Sequence, residues 1–433
     1  MIKPSPGKSG LQRGNLEAWL TWQEAVSPIG IDLNLGRVKK VFYRLSFIKP
    51  KHLITVAGTN GKGSTVAMIE SLMLAQGLLV ASYTSPHMHR YNERIKINGD
   101  PVSDVCITDA FEEIEKVRDG EELTFFEFGT LAALVIISKA KIDLAILEVG
   151  LGGRLDAVNI IDSDGCIITN ISKDHSEWLG EEIEMIAKEK AGVMRKGKPI
   201  VFGSTFLPLS ISKEAKRRQA ILVAQKNHYE FNELDNDLWS WHGIKEKRDK
   251  LSKPTLRGPH QVENAAAVLT LMEALPGLSV PSKEVINIGM KSIKLSGRTD
   301  FRDHLGKTWL FDVAHNIDSA IKLNKTIEGF NYNKCIAVIS ILADKDIEGI
   351  IKTLTNIVDQ WIIIDLDVNR ALKSNKLKQL ISKYSQKSIT IGKSPERSMQ
   401  EADIASKSED LILITGSFYT VSPCLRWIEE RVT

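Results

Sequence analysis

Ile54-Thr-Val-Ala-Gly-Thr-Asn-Gly-Lys-Gly-Ser-Thr-Val66 reads as a buried strand, a glycine-rich turn and a helix beginning near Gly63. A strand that feeds a helix through Gly58, Gly61 and Gly63 turns backbone N–H groups into a small concavity. The positive end of the helix dipole lies in the same place. Lys62 adds a mobile cation, and Ser64 and Thr65 add hydroxyls able to reach a phosphate-bound magnesium. Residues Gly58, Thr59, Asn60, Gly61, Lys62, Gly63 and Ser64 are therefore expected to cradle a triphosphate. The loop is shorter than the usual G-x-x-x-x-G-K-[ST] spacing, because two residues separate Gly58 from Gly61-Lys62. The alternative reading is an ordinary glycine turn.

Outward from this loop, strands alternate with helices. Strands are expected at Leu53–Ala57, Leu79–Tyr83, Asp143–Val149 and Cys166–Ile171, and helices at Thr65–Gln76, Phe126–Lys139, Ile183–Met194 and Val262–Leu275. This rhythm predicts an α/β fold: a doubly wound, mostly parallel sheet with helices on both faces. After the polar, basic stretch Lys245–Lys253 and a linker, the rhythm restarts with strands at Trp309–Val313, Ile336–Leu342, Trp361–Asp365, Ser388–Ile391 and Leu411–Thr415. The expected division is a nucleotide-binding domain over 1–290, a linker over 291–298 and a smaller α/β domain over 299–433.

Composition narrows the function class. A chain of 433 residues holds two or three full cores. Its formal charge of +3 gives no reason to expect nucleic acid as a partner. The N-terminus lacks an apolar signal core, and the longest apolar stretch, Leu131 to Ile137, is too short to span a bilayer, so no membrane partner is expected. Cys106, Cys166, Cys335 and Cys424 lie far apart with no C-x-x-C spacing, which suits a reducing cytoplasm better than a disulfide framework or a zinc site.

In a doubly wound sheet ligands collect at the carboxyl ends of the strands. Ser85, Glu148 and His175 each fall at or just after such an end. Together they offer two oxygens and a nitrogen to magnesium, which prefers hard ligands. Singly, each also reads as a turn former, an exposed strand-end acid and a loop histidine.

The chain resembles the folylpolyglutamate synthase and dihydrofolate synthase family, relatives of the muramyl ligases. The resemblance rests on Gly58-Thr-Asn-Gly-Lys-Gly-Ser64, Thr84-Ser-Pro-His-Met-His-Arg-Tyr-Asn-Glu-Arg94, Phe126-Glu-Phe-Gly-Thr130, Leu147-Glu-Val-Gly-Leu-Gly-Gly-Arg-Leu-Asp-Ala-Val-Asn159, Asp174-His175, Glu189-Lys-Ala-Gly192 and Asp312-Val-Ala-His-Asn316, in family order along nearly the whole chain. It implies a Mur-ligase-like fold and an ATP-dependent amide ligase. Such an enzyme activates a carboxylate as an acyl phosphate and lets the amine of L-glutamate displace phosphate. Dihydropteroate and reduced folates are the implied acids, ATP and two magnesium ions the implied cofactors, and a cytoplasmic monomer the expected state.

The resemblance also implies roles. Lys62 would hold the β- and γ-phosphates. Ser85, Glu148 and His175 would ligate magnesium, joined by a carbamate on Lys190, which otherwise reads as a helix-surface lysine in a charged run. Asn264 would lie on the adenine side. Arg298 would reach the phosphates (its alternative is a surface linker residue), Asp312 the ribose, and His315 the reacting end. Ser417 could hold the incoming glutamate. Thr124, Phe126 and Asp156 resemble pterin contacts, with core packing the alternative for Phe126. The early segment Ile31-Asp-Leu-Asn-Leu-Gly-Arg-Val38 matches the family pattern except at Gly36, where glutamate is usual. Within the family, an enzyme with only the polyglutamate activity is the alternative. A muramyl ligase acting on a UDP-sugar fits less well, because Lys62-Gly63-Ser64 departs from the Lys-[ST]-[ST] usual there. A non-catalytic nucleotide-binding regulator is the reading from a different class.

Overall fold

The computed structural model describes residues 11–27, 32–304, 306–366, 368 and 370–432. The N-terminal decapeptide and Ile31 of the early segment lie outside the described residues. The chain forms two compact units: residues 1–171, 183–253 and 264–292 make the first, and residues 172–182, 254–263 and 293–433 the second. Two short excursions, 172–182 and 254–263, thus group with the second unit.

The first unit is built on an eight-stranded sheet. Its order is Asp100–Pro101, Ile95–Ile97, Val80–Tyr83, Leu144–Glu148, His52–Ala57, Gly165–Ile168, Pro199–Phe202 and Ile221–Ala224. The six strands from Val80–Tyr83 onward are parallel, and the first two are antiparallel additions at one edge. The strand His52–Ala57 is buried at every residue, as a central parallel strand covered on both faces must be. One face packs against the helix Phe125–Lys139, whose residues Leu131 to Ile137 are all buried. Each large apolar side chain there contributes about 2 kcal/mol by leaving water. Farther across the same face, since Thr55 pairs with both Leu147 and Cys166, residues Cys166, Ile168, Ile200 and Phe202 are buried with Ile211 and Ala215 of the helix Leu209–Arg218.

Three differences from the sequence reading have local causes. The helix after the phosphate loop begins at Lys62, not Thr65, because Gly61 adopts a left-handed backbone (φ 82°) and serves as its N-cap. The helix expected over Ile183–Met194 stops at Lys190 and tightens into a single 3-10 turn at Ala191–Val193. The polar stretch Lys245–Lys253 is not a connector: Lys247–Ser252 is a strand of a three-stranded antiparallel sheet with Glu230–Glu233 and Leu238–His242. Trp239 and Trp241 are buried, with Leu251 opposite Trp239, while Lys247, Asp249 and Lys250 of the edge strand are exposed.

The second unit is a six-stranded sheet ordered Asp300–His304, Lys307–Asp312, Leu411–Thr415, Cys335–Ile339, Gln360–Ile364 and Ser388–Gly392. Five strands are parallel, and Asp300–His304 is an antiparallel edge that the sequence reading did not include. Helices over Ile317–Ile327, Ile347–Leu354 and Ser374–Tyr384 contribute Leu323, Ile351 and Leu377 to its core.

Candidate active site

The strand order places the phosphate loop between two strand ends. His52–Ala57 pairs with Leu144–Glu148 on one side (Val56 opposite Glu148) and with Gly165–Ile168 on the other (Ala57 opposite Ile168). Residues just after the second neighbour hold the loop from below. Thr59 N donates to Asn170 O at 3.0 Å, Asn60 N to Asn170 Oδ1 at 2.9 Å, and Thr169 Oγ1 to Asn60 O at 2.6 Å. Gly58 has φ 144°, and a Cβ there would stand 1.8 Å from Thr169 Oγ1, so only glycine fits. Lys62 Nζ folds back to the carbonyls of Gly58 and Thr59, 3.1 Å from each. Asn264 lies at the same turn, since a methyl on Gly61 would meet its carboxamide at 3.2 Å.

The Thr65 hydroxyl, expected within reach of a phosphate-bound magnesium, donates to Gly61 O at 2.8 Å from a fully buried position. Ser64 lies beside it in the first turn, also buried.

Glu148 and Ser85 come together. Ser85 N donates to Glu148 Oε2 at 3.2 Å, and Glu148 Oε2 lies 3.8 Å from where a side chain of Gly63 would begin. A carboxylate only 4% exposed, beside the first turn of a helix whose N–H groups lead the chain, suits a hard divalent cation held with phosphate oxygens. Among the described residues no group of three His, Cys, Asp or Glu side chains is placed to hold a metal. The expected donor set does not need one, because it also draws on a serine and a modified lysine.

Lys190 reaches the loop through an interlock of two motifs. The Gly-Leu-Gly-Gly-Arg run and the Glu-Lys-Ala-Gly turn approach backbone to backbone. A Cβ on Gly192 would fall 2.4 Å from Arg154 Cα, and one on Gly153 would fall 2.9 Å from Glu189 O. Arg154 N donates to Glu189 O at 2.8 Å, and its guanidinium pairs with the Glu189 carboxylate at 2.9 Å. The end of the helix is thereby seated so that Lys190 Nζ, on a side chain 4% exposed, donates to Gly58 O at 2.9 Å. It is not a surface lysine.

Thr124, Phe126 and Asp156 also converge, each with a structural duty. Thr124 caps its helix in a reciprocal box with Glu127: Thr124 Oγ1 accepts from Glu127 N at 3.2 Å, and Glu127 Oε2 from Thr124 N at 2.7 Å. The Phe126 ring covers Gly150, where an added Cβ would meet its Cζ at 2.6 Å. Asp156 accepts from Leu151 N and Val158 N, both at 2.9 Å. Burial pushes its carboxyl up to about 6, although those N–H groups and Lys62 favour the charge. The sequence reading gave Arg37, Glu127 and Tyr83 no role in the site. Arg37 Nε donates to buried Glu127 at 2.7 Å, tying the early segment to the capped helix, and Tyr83 stands 6.1 Å from Phe126 between ring centroids. The Thr-x-x-Glu spacing at 124–127 was a readable signal for Glu127.

In the second unit, Asp174 is the hub. Its carboxylate receives Lys345 Nζ at 2.6 Å, Asn316 Nδ2 at 3.0 Å and His175 N at 2.9 Å, with His315 Nε2 3.3 Å away. Burial would raise its pKa, but the His315 hydrogen bond and the His315, His175 and Lys345 charges hold it far below the usual carboxylate range. His175 follows in a left-handed backbone, φ 53°. Asp312 accepts from Thr299 N at 2.8 Å and Ala314 N at 2.9 Å, and burial raises its pKa against the nearby Arg298 charge. The Arg298 guanidinium lies 5.0 Å over the Phe418 ring. Ser417 is buried, and its hydroxyl accepts from Thr420 N at 3.1 Å to cap the last helix. The sequence reading missed Lys345, which an Asp-Lys-Asp run of ordinary surface appearance conceals.

Comparison with known proteins places the chain among the Mur ligases. Residues 56–272 match the Mur ligase middle domain, and residues 297–418 the Mur ligase glutamate ligase domain. A dihydrofolate synthase/folylpolyglutamate synthase of Escherichia coli is 37% identical, over 96% of each chain. A solved E. coli FolC in complex with DHPP and ADP superposes with a TM-score of 0.91 at 36% identity, covering 96% of this chain and 98% of that one. A bifunctional folylpolyglutamate synthase/dihydrofolate synthase with Mn, AMPPNP and L-glutamate bound gives 0.88 at 36% identity with the same coverage.

Proposed function

Because the chain belongs to the dihydrofolate synthase/folylpolyglutamate synthase family of Mur ligases, we propose that it joins L-glutamate to dihydropteroate and extends reduced folates with further glutamates, using ATP. It is an ATP-dependent amide-forming ligase. The observation that carries the reading is the set of groups gathered on one loop: Lys62 and Lys190 on the Gly58 carbonyl, with Glu148 and Ser85 beside the first helical turn.

In the first step a carboxylate oxygen attacks the γ-phosphorus, the bond to the leaving oxygen breaks, and ADP departs. In the second the glutamate amine attacks the acyl carbon, phosphate leaves, and the amine proton is lost. The N–H groups of the Gly58–Ser64 turn and Lys62 orient the triphosphate and balance its charge. Magnesium, when bound, neutralises charge on the transferring group. Ser85, Glu148, His175 and a carbamate on Lys190 are its assigned ligands. Asn264 is assigned to adenine, Asp312 to ribose, Arg298 to phosphate, and His315 and Ser417 to the glutamate end. Thr124, Phe126 and Asp156 are assigned to the pterin, where an aromatic face suits a flat ring and a carboxylate suits its N–H groups. The division at 1–290, 291–298 and 299–433, a monomeric state and a cytoplasmic location belong to the same proposal.

The test is a substrate panel read by mass spectrometry: ATP and L-glutamate with dihydropteroate or with tetrahydrofolate. Mass gains of one glutamyl unit on both acids, with ADP released only when acid and glutamate are both present, are expected. Gain on tetrahydrofolate alone would leave the single-activity enzyme. ADP release with neither acid would exclude the ligase. Oxygen-18 in the pterin carboxylate should appear in released phosphate, and label kept wholly in the amide would exclude the acyl phosphate.

A further inference from the structure

Arg94 is a buried cation that lacks a counter-charge. It is 8% exposed, and among the described residues no carboxylate forms an ion pair with it. Its Nε donates to His87 Nδ1 at 2.9 Å. Its guanidinium lies 5.1 Å from the Tyr91 ring centroid and 5.5 Å from that of Phe125. The nearby acids are committed elsewhere. Glu93 accepts from Met88 N, His89 N and Arg90 N, each at 2.7 Å, and Asp104 serves Asn92 Nδ2 at 2.8 Å and Arg90. Aromatic faces and a neutral acceptor compensate a desolvated guanidinium only in part.

The Tyr91 hydroxyl is buried against the helix Phe125–Lys139, 2.6 Å from where a Cβ on Gly129 would stand, so it belongs to the core. Core packing explains the rings but not the missing counter-charge of the guanidinium. The position is also informative. Arg94 O accepts from Thr84 N at 2.8 Å, one residue before Ser85, whose N–H faces Glu148. Phe125 immediately precedes Phe126.

We propose that Arg94 is a substrate-binding residue that receives a carboxylate of the pterin substrate. The inference rests on the ligase reading above and assigns it a specificity residue. Two carboxylates share the chemistry: the reacting one of dihydropteroate, and the non-reacting α-carboxylate of a glutamylated folate.

The experiment uses the full-length chain and equilibrium binding read by pterin fluorescence, without nucleotide. The probes are pteroate, its carboxamide, and folate. Arg94→Gln removes the charge, and Arg94→Met, whose flexible thioether fits between the rings, is the second variant should the first fail to fold. Wild type should bind pteroate at least about tenfold more tightly than the carboxamide, and the variant should lose that preference while binding the carboxamide normally. Alternatively, pteroate binding stays unchanged and folate affinity falls by about tenfold or more, which assigns Arg94 to the α-carboxylate. Melting temperature and ADP affinity should stay close to wild type in both cases. Variants that bind all three probes like wild type, or that weaken the carboxamide equally, overturn the assignment. Wild type that binds no pterin acid overturns the ligase reading and this inference with it.

Discussion

Gly58→Ala should disable the nucleotide loop and destabilise the first unit together. The backbone at Gly58 has φ 144°, a region that costs a residue bearing Cβ about 1–3 kcal/mol. The new methyl would stand 1.8 Å from Thr169 Oγ1 and 3.1 Å from Thr169 N. The hydroxyl is buried and bound to Asn60 O at 2.6 Å, so it cannot swing aside without releasing the loop. Overpacking of this kind costs about 1–3 kcal/mol. The two terms sum to roughly 2–6 kcal/mol, a large part of the 5–15 kcal/mol typical of a folded domain. A loop displaced by about 1 Å should also weaken the productive triphosphate geometry on the order of 100-fold. Urea unfolding followed by tryptophan fluorescence gives the first number, and calorimetric titration with MgADP reports whether the loop still binds. The double variant with Thr169→Ala separates the causes. It removes the oxygen at 1.8 Å and leaves the dihedral strain, so a double-mutant cycle should show a favourable coupling of about 1–3 kcal/mol. A single variant within about 0.5 kcal/mol of wild type that binds MgADP normally would refute the steric reasoning. Zero coupling would refute the role of the Thr169 hydroxyl.

Further outcomes follow from the same geometry. Lys62→Ala and Glu148→Ala should each lower turnover by about 10²–10³ in folded protein, because each removes a preorganised charge from the phosphoryl group; near-normal turnover would remove that residue from the site. Lys190→Ala should be nearly inactive and partly restored by millimolar acetate, which supplies the missing carboxylate oxygens; a variant unaffected by acetate but rescued by methylamine would favour an ammonium over a carbamate. Asp156 links stability to pH. Its folded value of about 6 lies above its ordinary 3.8, so its contribution favours the fold below pH 3.8 and is lost as pH rises through 6, a swing of about 3 kcal/mol. Urea midpoints at several pH values should show wild type losing stability relative to Asp156→Asn between pH 4 and 7, and a pH-independent difference would refute the assignment.

The sequence by itself determined the fold class and the strand end at which the glycine-rich loop stands. Period-two and period-3.6 patterns are local, so the run from Ile54 to Val66 and the later alternation specify a parallel sheet with a phosphate loop at a strand end. Glu148 and Ser85 were legible for the same reason, since strand ends in such a sheet face one crevice. What the tertiary structure decided depends on partners far apart in sequence. No local pattern says that Gly153 and Gly192 let two loops meet backbone to backbone, which moves Lys190 from a charged helix surface onto Gly58. None says that the Thr65 hydroxyl is taken by Gly61, or that Lys345, Asn316 and His315 meet on Asp174. The strand Lys247–Ser252 was hidden because its charges line an edge, and only pairing with Leu238–His242 reveals the face that Trp239 and Trp241 bury. Arg94 reads as one more surface cation until the rings of Tyr91 and Phe125 close over it, because desolvation is a property of packing and not of the residue.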